Sequence, residues 1–184
     1  MKTFLEIGTA DFDTLLPLAR KGGWIGWCVE PVPHHAKTLL EEAKHLPVGI
    51  IEAAVSDRTG TIKMAVGGGG EQWTRGISHI IDENHTGTRL LDFTANQSIR
   101  QQDITVACYT LDDLLNKLSI TSLDFCKIDV EGHEETILKA YSWRVKPKVL
   151  KVEHKHVSTN HISSILQAQG YHIFTETDDL YAIL

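Results

Sequence analysis

The sequence predicts an α/β domain built on a mostly parallel sheet. Three observations predict it. Short apolar runs of strand length alternate with helix-length amphipathic stretches. Several of those runs are rich in residues that suit a strand covered on both faces. The last two runs are joined by a link too short for a parallel crossover, so one strand must run antiparallel.

Taken in order, residues 3–7 form the first strand, 25–30 (IGWCVE) the second and 48–55 (VGIIEAAV) the third. Between the second and third, residues 36–45 place Ala36, Leu39, Leu40 and Ala43 on one helical face, with His34 and His35 at the surface where that helix begins. Residues 60–109 form a less regular middle, with strand character at 60–66 and 103–109 and a helix following at 111–118. The stretch between opens with four glycines from Gly67 to Gly70, read as a hinge, and 67–102 is expected to act as a lid or substrate loop. Residues 122–129 (SLDFCKID) and 148–154 (KVLKVEH) are the fourth and fifth strands, and Ile137, Leu138 and Tyr141 mark the helix between them. After a helix carrying Ile162, Ile165 and Leu166, strands at 171–175 and 180–184 close the chain as a hairpin around residues 176–179.

Composition bounds the function. With 184 residues, 42% hydrophobic and 23% charged, the chain is read as one globular domain over residues 1–184. No apolar run approaches the ~20 residues of a membrane span, and the start of the chain meets Lys2, Glu6 and Gly8 too early for a secretory signal, so a cytoplasmic protein is expected. The three cysteines, Cys28, Cys108 and Cys126, have no paired spacing and read as reduced core thiols. A net charge of -6 disfavours nucleic-acid partners, which call for clustered Lys and Arg.

The first strand runs into Glu6-Ile7-Gly8-Thr9-Ala10-Asp11, where a glycine turn allows close backbone approach to a ligand. Beyond it, the second strand ends in Glu30 followed by Pro31, and a carboxylate there can accept hydrogen bonds from both hydroxyls of a ribose. Together they mark a nucleoside site. A pyrophosphate fits poorly, because the positions of a G-x-G-x-x-G loop read Gly8, Ala10 and Asp13. Carboxylates at Asp11 and Asp13 suit a cationic ligand instead, such as S-adenosylmethionine with its sulfonium and ammonium groups.

The fourth strand ends in Lys127-Ile128-Asp129-Val130-Glu131-Gly132-His133-Glu134. Ligands of parallel sheets sit outside the strand carboxyl ends, so Asp129 and Glu131 are expected to face the reacting group. Lys127, an amine in a covered strand, needs a carboxylate partner, for which Glu153 on the neighbouring strand is the candidate. His154 and His156 alternate along the fifth strand end and would permit a metal pair with Asp129 or Glu131. Histidines at an exposed strand end more often face solvent or substrate, and no metal is assigned. In the middle segment, Trp73 can stack on a ring and Arg75 can grip an anion, with Ser78 beside them, so these are read as acceptor contacts.

Five blocks carry a resemblance: FLEIGTAD from Phe4, CVEPVP from Cys28, AVSDRTGT from Ala54, YTLDDLL from Tyr109, and DFCKIDVEGHEETILKA from Asp124. They resemble the successive motifs of FkbM-type methyltransferases over roughly residues 4 to 154, the last block most specifically. The resemblance implies a Rossmann-like class I methyltransferase fold with a seven-stranded sheet and an antiparallel last strand. It also implies S-adenosylmethionine as cofactor and a hydroxyl oxygen as the usual acceptor. Carried over by motif, Glu6 and Gly8 line the methionine end, Glu30 the ribose, and Ser56 with Asp57 the adenine region. Lys127, Asp129, Glu131 and His133 border the methyl-transfer site. The family's first motif continues Ala-Asn-x-Gly where this chain has Thr9-Ala10-Asp11-Phe12, so Thr9, Asp11 and Asp13 take those places.

The reading that follows is an O-methyltransferase for a small molecule or saccharide, with Asp129 or His154 as base and Glu131 orienting the acceptor. A second subunit is a possible means of completing so thinly covered a site. The competing readings are a nicotinamide-dependent oxidoreductase and a catalytically silent cofactor-binding module.

Overall fold

A computed structural model describes residues 1–10, 14–68, 78–81 and 100–184. Strand β1 (Lys2–Ile7) lies centrally, paired in parallel with β2 (Trp24–Val29) on one side and β8 (Phe125–Ile128) on the other. Outward from β2 comes β3 (Val48–Ile51); outward from β8 comes β9 (Val149–Glu153), also parallel. The hairpin β10 (His172–Glu176) and β11 (Asp179–Ile183) completes the sheet, with β11 inserted antiparallel between β9 and β10. The order β10-β11-β9-β8-β1-β2-β3 is thus a seven-stranded, mostly parallel sheet with one antiparallel strand, as expected from the sequence.

Alternation along β1 sorts the core into two layers. Leu5 and Ile7 point to the face covered by α3 (Leu111–Lys117), α4 (Glu134–Ala140) and α5 (Thr159–Ala168), through Leu114, Leu115, Ile137, Leu138, Ile162 and Leu166. Phe4 points to the opposite face, where α1 (Leu16–Arg20) and α2 (Pro33–Glu42) supply Leu16, Ala19 and Leu39. Each helix starts where local chemistry favours it. Pro33 opens α2 with its φ already helical, and the Thr110 and Ser158 side chains accept hydrogen bonds from the third amides of α3 and α5. Cys28, Cys108 and Cys126 are all buried and none is in a disulfide, in line with reduced core thiols. No helix among the described residues is long and apolar enough to cross a membrane.

The described residues of the middle segment pair more extensively than their pattern predicts. A second sheet, in the order β4-β7-β5-β6, contains β4 (Ala54–Ser56), β5 (Gly60–Gly68), β6 (His79–Ile80) and β7 (Arg100–Thr110). The long antiparallel pair β5–β7 buries Ile62, Met64 and Val106 against Ala54 and Ile80. The expected third strand over 48–55 is therefore two strands: the chain turns at Glu52 and Ala53, where the Ala53 amide bonds back to the Ile51 carbonyl at 3.1 Å, and β4 joins the second sheet. Gly67 and Gly68 extend β5 rather than forming a hinge. The expected lid at 67–102 falls mostly on residues outside the described ones.

Two side chains on α2 also differ from expectation. Leu40 is exposed, because α2 turns its Ala36–Leu39–Ala43 stripe inward and leaves Leu40 beside it. His35 is buried at 2% exposure rather than lying on the surface, because it points toward Glu30.

Candidate active site

The carboxyl ends of β1, β2 and β8 meet around Gly8, Glu30 and Asp129. Their loops are tied together: the Gly8 amide donates to the Val29 carbonyl at 3.0 Å and the Asp129 amide to the Ile7 carbonyl at 3.0 Å. Gly8 has φ +78, and a Cβ there would lie 1.7 Å from the Asp129 carbonyl oxygen, so only glycine fits. A cavity of about 400 Å³ opens above this junction, within the ~300–1,000 Å³ usual for small-molecule sites.

At one end of the cavity Glu30 is 4% exposed. One carboxylate oxygen accepts from the Ala10 amide at 2.7 Å and the other from the Val32 amide at 2.8 Å; His35 Nδ1 lies 3.8 Å away. Each oxygen of a carboxylate has two lone pairs, so this grip fixes the side chain while leaving acceptor capacity toward the cavity. Ala10 holds its amide in place with φ +49, a left-handed conformation that non-glycine residues seldom adopt. The wall beside Glu30 is apolar, from Ala53, Val55, Met64 and Ile80, and comes from the segment after β3 and from the second sheet.

The other end is crowded with charge. Lys127 Nζ lies 3.4 Å from Glu6 and 3.5 Å from Asp129, nearly buried between them. Glu6 faces Lys127 across the β1–β8 register, which is why the amine pairs with it and with Asp129 where the sequence pattern pointed to Glu153. Burial raises the pKa of Asp129; Lys127 pulls against this, and the charges of Glu131 and Asp179 add to the rise. Burial likewise pushes Glu6 up to about 6 and, with the neighbouring Asp129, Glu131 and Glu134 charges, Glu153 up to about 9. Glu134 is pushed up to about 8 by burial, although it accepts from the Val130 and Gly132 amides. Glu131 stands at φ +55, another left-handed non-glycine residue, immediately before Gly132 at φ +100. Ala10 and Glu131 both line the cavity, and such conformations persist only where the surrounding structure holds them.

The cavity gathers Gly8, Thr9, Glu30, Pro31, Ser78, Lys127, Asp129 and Glu131 from the residues expected by sequence. Others lie elsewhere. Glu6 sits beneath the cavity rather than in its wall, holding Lys127 and accepting from the Leu15 amide at 2.8 Å. Ser56 and His133 are buried and bonded to each other at 2.7 Å, because β4 and the start of α4 meet away from the opening. Asp57 is partly exposed beside Arg58 and the Ser56 hydroxyl. His154 is outside the lining too, with Nδ1 2.9 Å from the Thr159 hydroxyl. Asp11, Asp13, Trp73 and Arg75 lie outside the described residues.

The structure adds His35, Glu153 and Lys155 to the cavity wall. His35 had no signal in the sequence beyond a histidine pair at a helix start. Glu153 and Lys155 stood in the fifth strand's end, where their alternation with His154 marks the face they share.

A family model described as "Methyltransferase FkbM domain" matches residues 6–173. No curated protein matches the chain. Among solved structures the chain is similar to one from a fibrillarin/Nop5p complex, at 12% identity and TM-score 0.46, covering 98% of this chain and 70% of that one. It is also similar to the N-terminal domain of human METTL16 in complex with SAH, at 14% identity and TM-score 0.47; 99% of this chain and 60% of that one are covered.

Proposed function

The chain belongs to the FkbM methyltransferase domain family, and from that premise we propose that it methylates a hydroxyl oxygen on a small molecule or saccharide. Its cofactor is S-adenosylmethionine. The observation that supports the placement best is Glu30, a buried carboxylate oriented by two backbone amides at one end of a cavity whose other end holds Asp129.

The residues present suit such a cofactor. Glu30 has acceptor capacity left for ribose hydroxyls, and Ala53, Val55, Met64 and Ile80 offer an apolar wall to a nucleobase. Asp129 and Glu131 make the far end attractive to a sulfonium or ammonium cation. There is no glycine-rich phosphate loop, so a nicotinamide dinucleotide lacks its expected cradle and that reading is set aside.

When bound, S-adenosylmethionine supplies a methyl group that the acceptor oxygen takes as the carbon–sulfur bond breaks, with the bonding pair staying on sulfur. The chain's own part is to align the acceptor and remove its proton. Alignment alone reaches about 7 to 11 kcal/mol in favourable cases, and a positioned base adds a factor of about 10² to 10⁴. Asp129 is the base in this reading, because it lines the cavity and His154 does not. Its carboxylate receives the hydroxyl proton, helped by the burial that raises its proton affinity. Lys127 is a positioning residue: it holds Asp129 at 3.5 Å, and its charge favours the ionised carboxylate against the burial that opposes it.

Calorimetry with S-adenosylhomocysteine tests the cofactor site. The intact protein should bind it, and Glu30→Ala should weaken binding by about 10- to 100-fold, as expected from losing hydrogen bonds to a charged acceptor. Glu30→Gln, which keeps the side-chain volume, should weaken it less. Absence of binding by the intact, folded protein overturns the reading.

A further inference from the structure

Beside the acceptor end of the cavity, the last residue of β9 and the loops following β8 and β9 bring together three side chains that have no part in holding an adenosine. Glu131, Glu153 and His156 each offer one ligand atom, and these atoms all lie within 4.8 Å of one another; among the described residues no other such grouping is found. The loops are seated against each other, since a Cβ on Gly132 would come within 3.3 Å of the His156 Cβ.

The group is short of hydrogen bonds. His156 has a side chain only 10% exposed, and its Nε2 stands 3.2 Å from a Glu131 oxygen without the alignment of a hydrogen bond. The Glu153 Oε2 is buried and also lacks a hydrogen-bond partner. Buried polar atoms left in this way cost stability unless a ligand takes them up. A separation of 3.2 Å is close to the roughly 3 Å between adjacent donors on a cation with 2.0–2.1 Å bonds.

We propose that Glu131, Glu153 and His156 form a binding site for a divalent transition-metal ion, with coordination positions left open toward the cavity. Two carboxylates and one imidazole are a donor set for Mn²⁺, Fe²⁺ or Zn²⁺ rather than for Ca²⁺, which takes oxygen ligands alone. Glu131 and Glu153 line the cavity, so the ion stands at its edge, where an acceptor hydroxyl can complete its coordination and give up its proton more readily. Glu131 would then orient the acceptor through the ion, held for that purpose in its left-handed backbone conformation. The role toward the acceptor rests on the methyltransferase reading; the binding of the ion does not.

The test is a titration of the metal-stripped full chain with Mn²⁺, followed by the loss of the free-ion electron paramagnetic resonance signal, and repeated with Zn²⁺ by calorimetry. One ion per chain is expected. Glu131→Gln and His156→Ala, checked for folding by circular dichroism, should each weaken it at least about ten-fold, while His161→Ala, at an exposed histidine on α5, should leave it unchanged. S-adenosylhomocysteine binding is measured on the same stripped samples. Failure of both ions to bind, or equal binding by wild type and both ligand variants, overturns the metal site even where S-adenosylhomocysteine binds normally. Loss of S-adenosylhomocysteine binding with metal binding intact overturns the cofactor reading and leaves the site standing.

Discussion

Gly8 shows how much one residue can decide. Its positive φ and the Asp129 carbonyl at 1.7 Å from where a Cβ would sit leave no room for a side chain. Gly8→Ala must therefore push β1 and β8 apart, and should cost about 2 kcal/mol or more. A lowered midpoint of urea unfolding checks this; an unchanged midpoint would show that the junction is slack. Glu30 and Gly8 were readable in the sequence because a strand end followed by a turn, and an acidic strand end one βα unit later, are local patterns. His35 was not. Its burial depends on α2 leaning its first turn toward Glu30, a tertiary contact with no sequence period. The partner of Lys127 was missed for a similar reason, since the Glu6–Lys127 pairing is set by the β1–β8 register and not by any spacing along the chain.

At the level of elements, the parallel sheet was legible and its companion was not. Continuous apolar strands and amphipathic helices announce themselves, and the two-residue turn between β10 and β11 announced the hairpin. The run VGIIEAAV looks like one strand because apolar content says nothing about which partner each half finds. β4 leaves the first sheet because it pairs with β7, more than forty residues away, through Ala54–Cys108, Val55–Tyr109 and Ser56–Thr110. That pairing leads directly into α3, whose first turn is held by the Thr110 hydroxyl accepting from the Asp113 amide at 3.1 Å. Thr110→Ala should destabilise the fold by about 1 kcal/mol, as loss of a helix cap does, and Thr110→Ser should recover most of it in the same unfolding assay.

Across the whole molecule, raised carboxylates collect at one place. Glu6 at about 6 and Glu134 at about 8 hold their protons in the folded protein at pH values where the unfolded chain has released them, near 4.3. Their contribution to stability is complete below that unfolded value and is lost as pH rises toward 8, because ionising them in the folded state means charging a buried group. The unfolding midpoint of the protein should therefore fall between pH 5 and pH 8. Glu134→Gln stays neutral and keeps an oxygen for the Val130 and Gly132 amides, so its decline over the same range should be shallower. Parallel curves for the two proteins would remove Glu134 from this account.

The second sheet bears on how the binding chamber could be changed. Its floor is cut from β1, β2 and β8, whose loops are bolted to one another, whereas Met64, Ser78 and Ile80 belong to a separate panel leaning over it. A panel hung on its own hydrogen-bond ladder can be lengthened or trimmed at its far edge without breaking a pairing of the floor beneath. One chamber is thus bounded by two pieces of architecture, a floor and a panel, each closed by its own ladder.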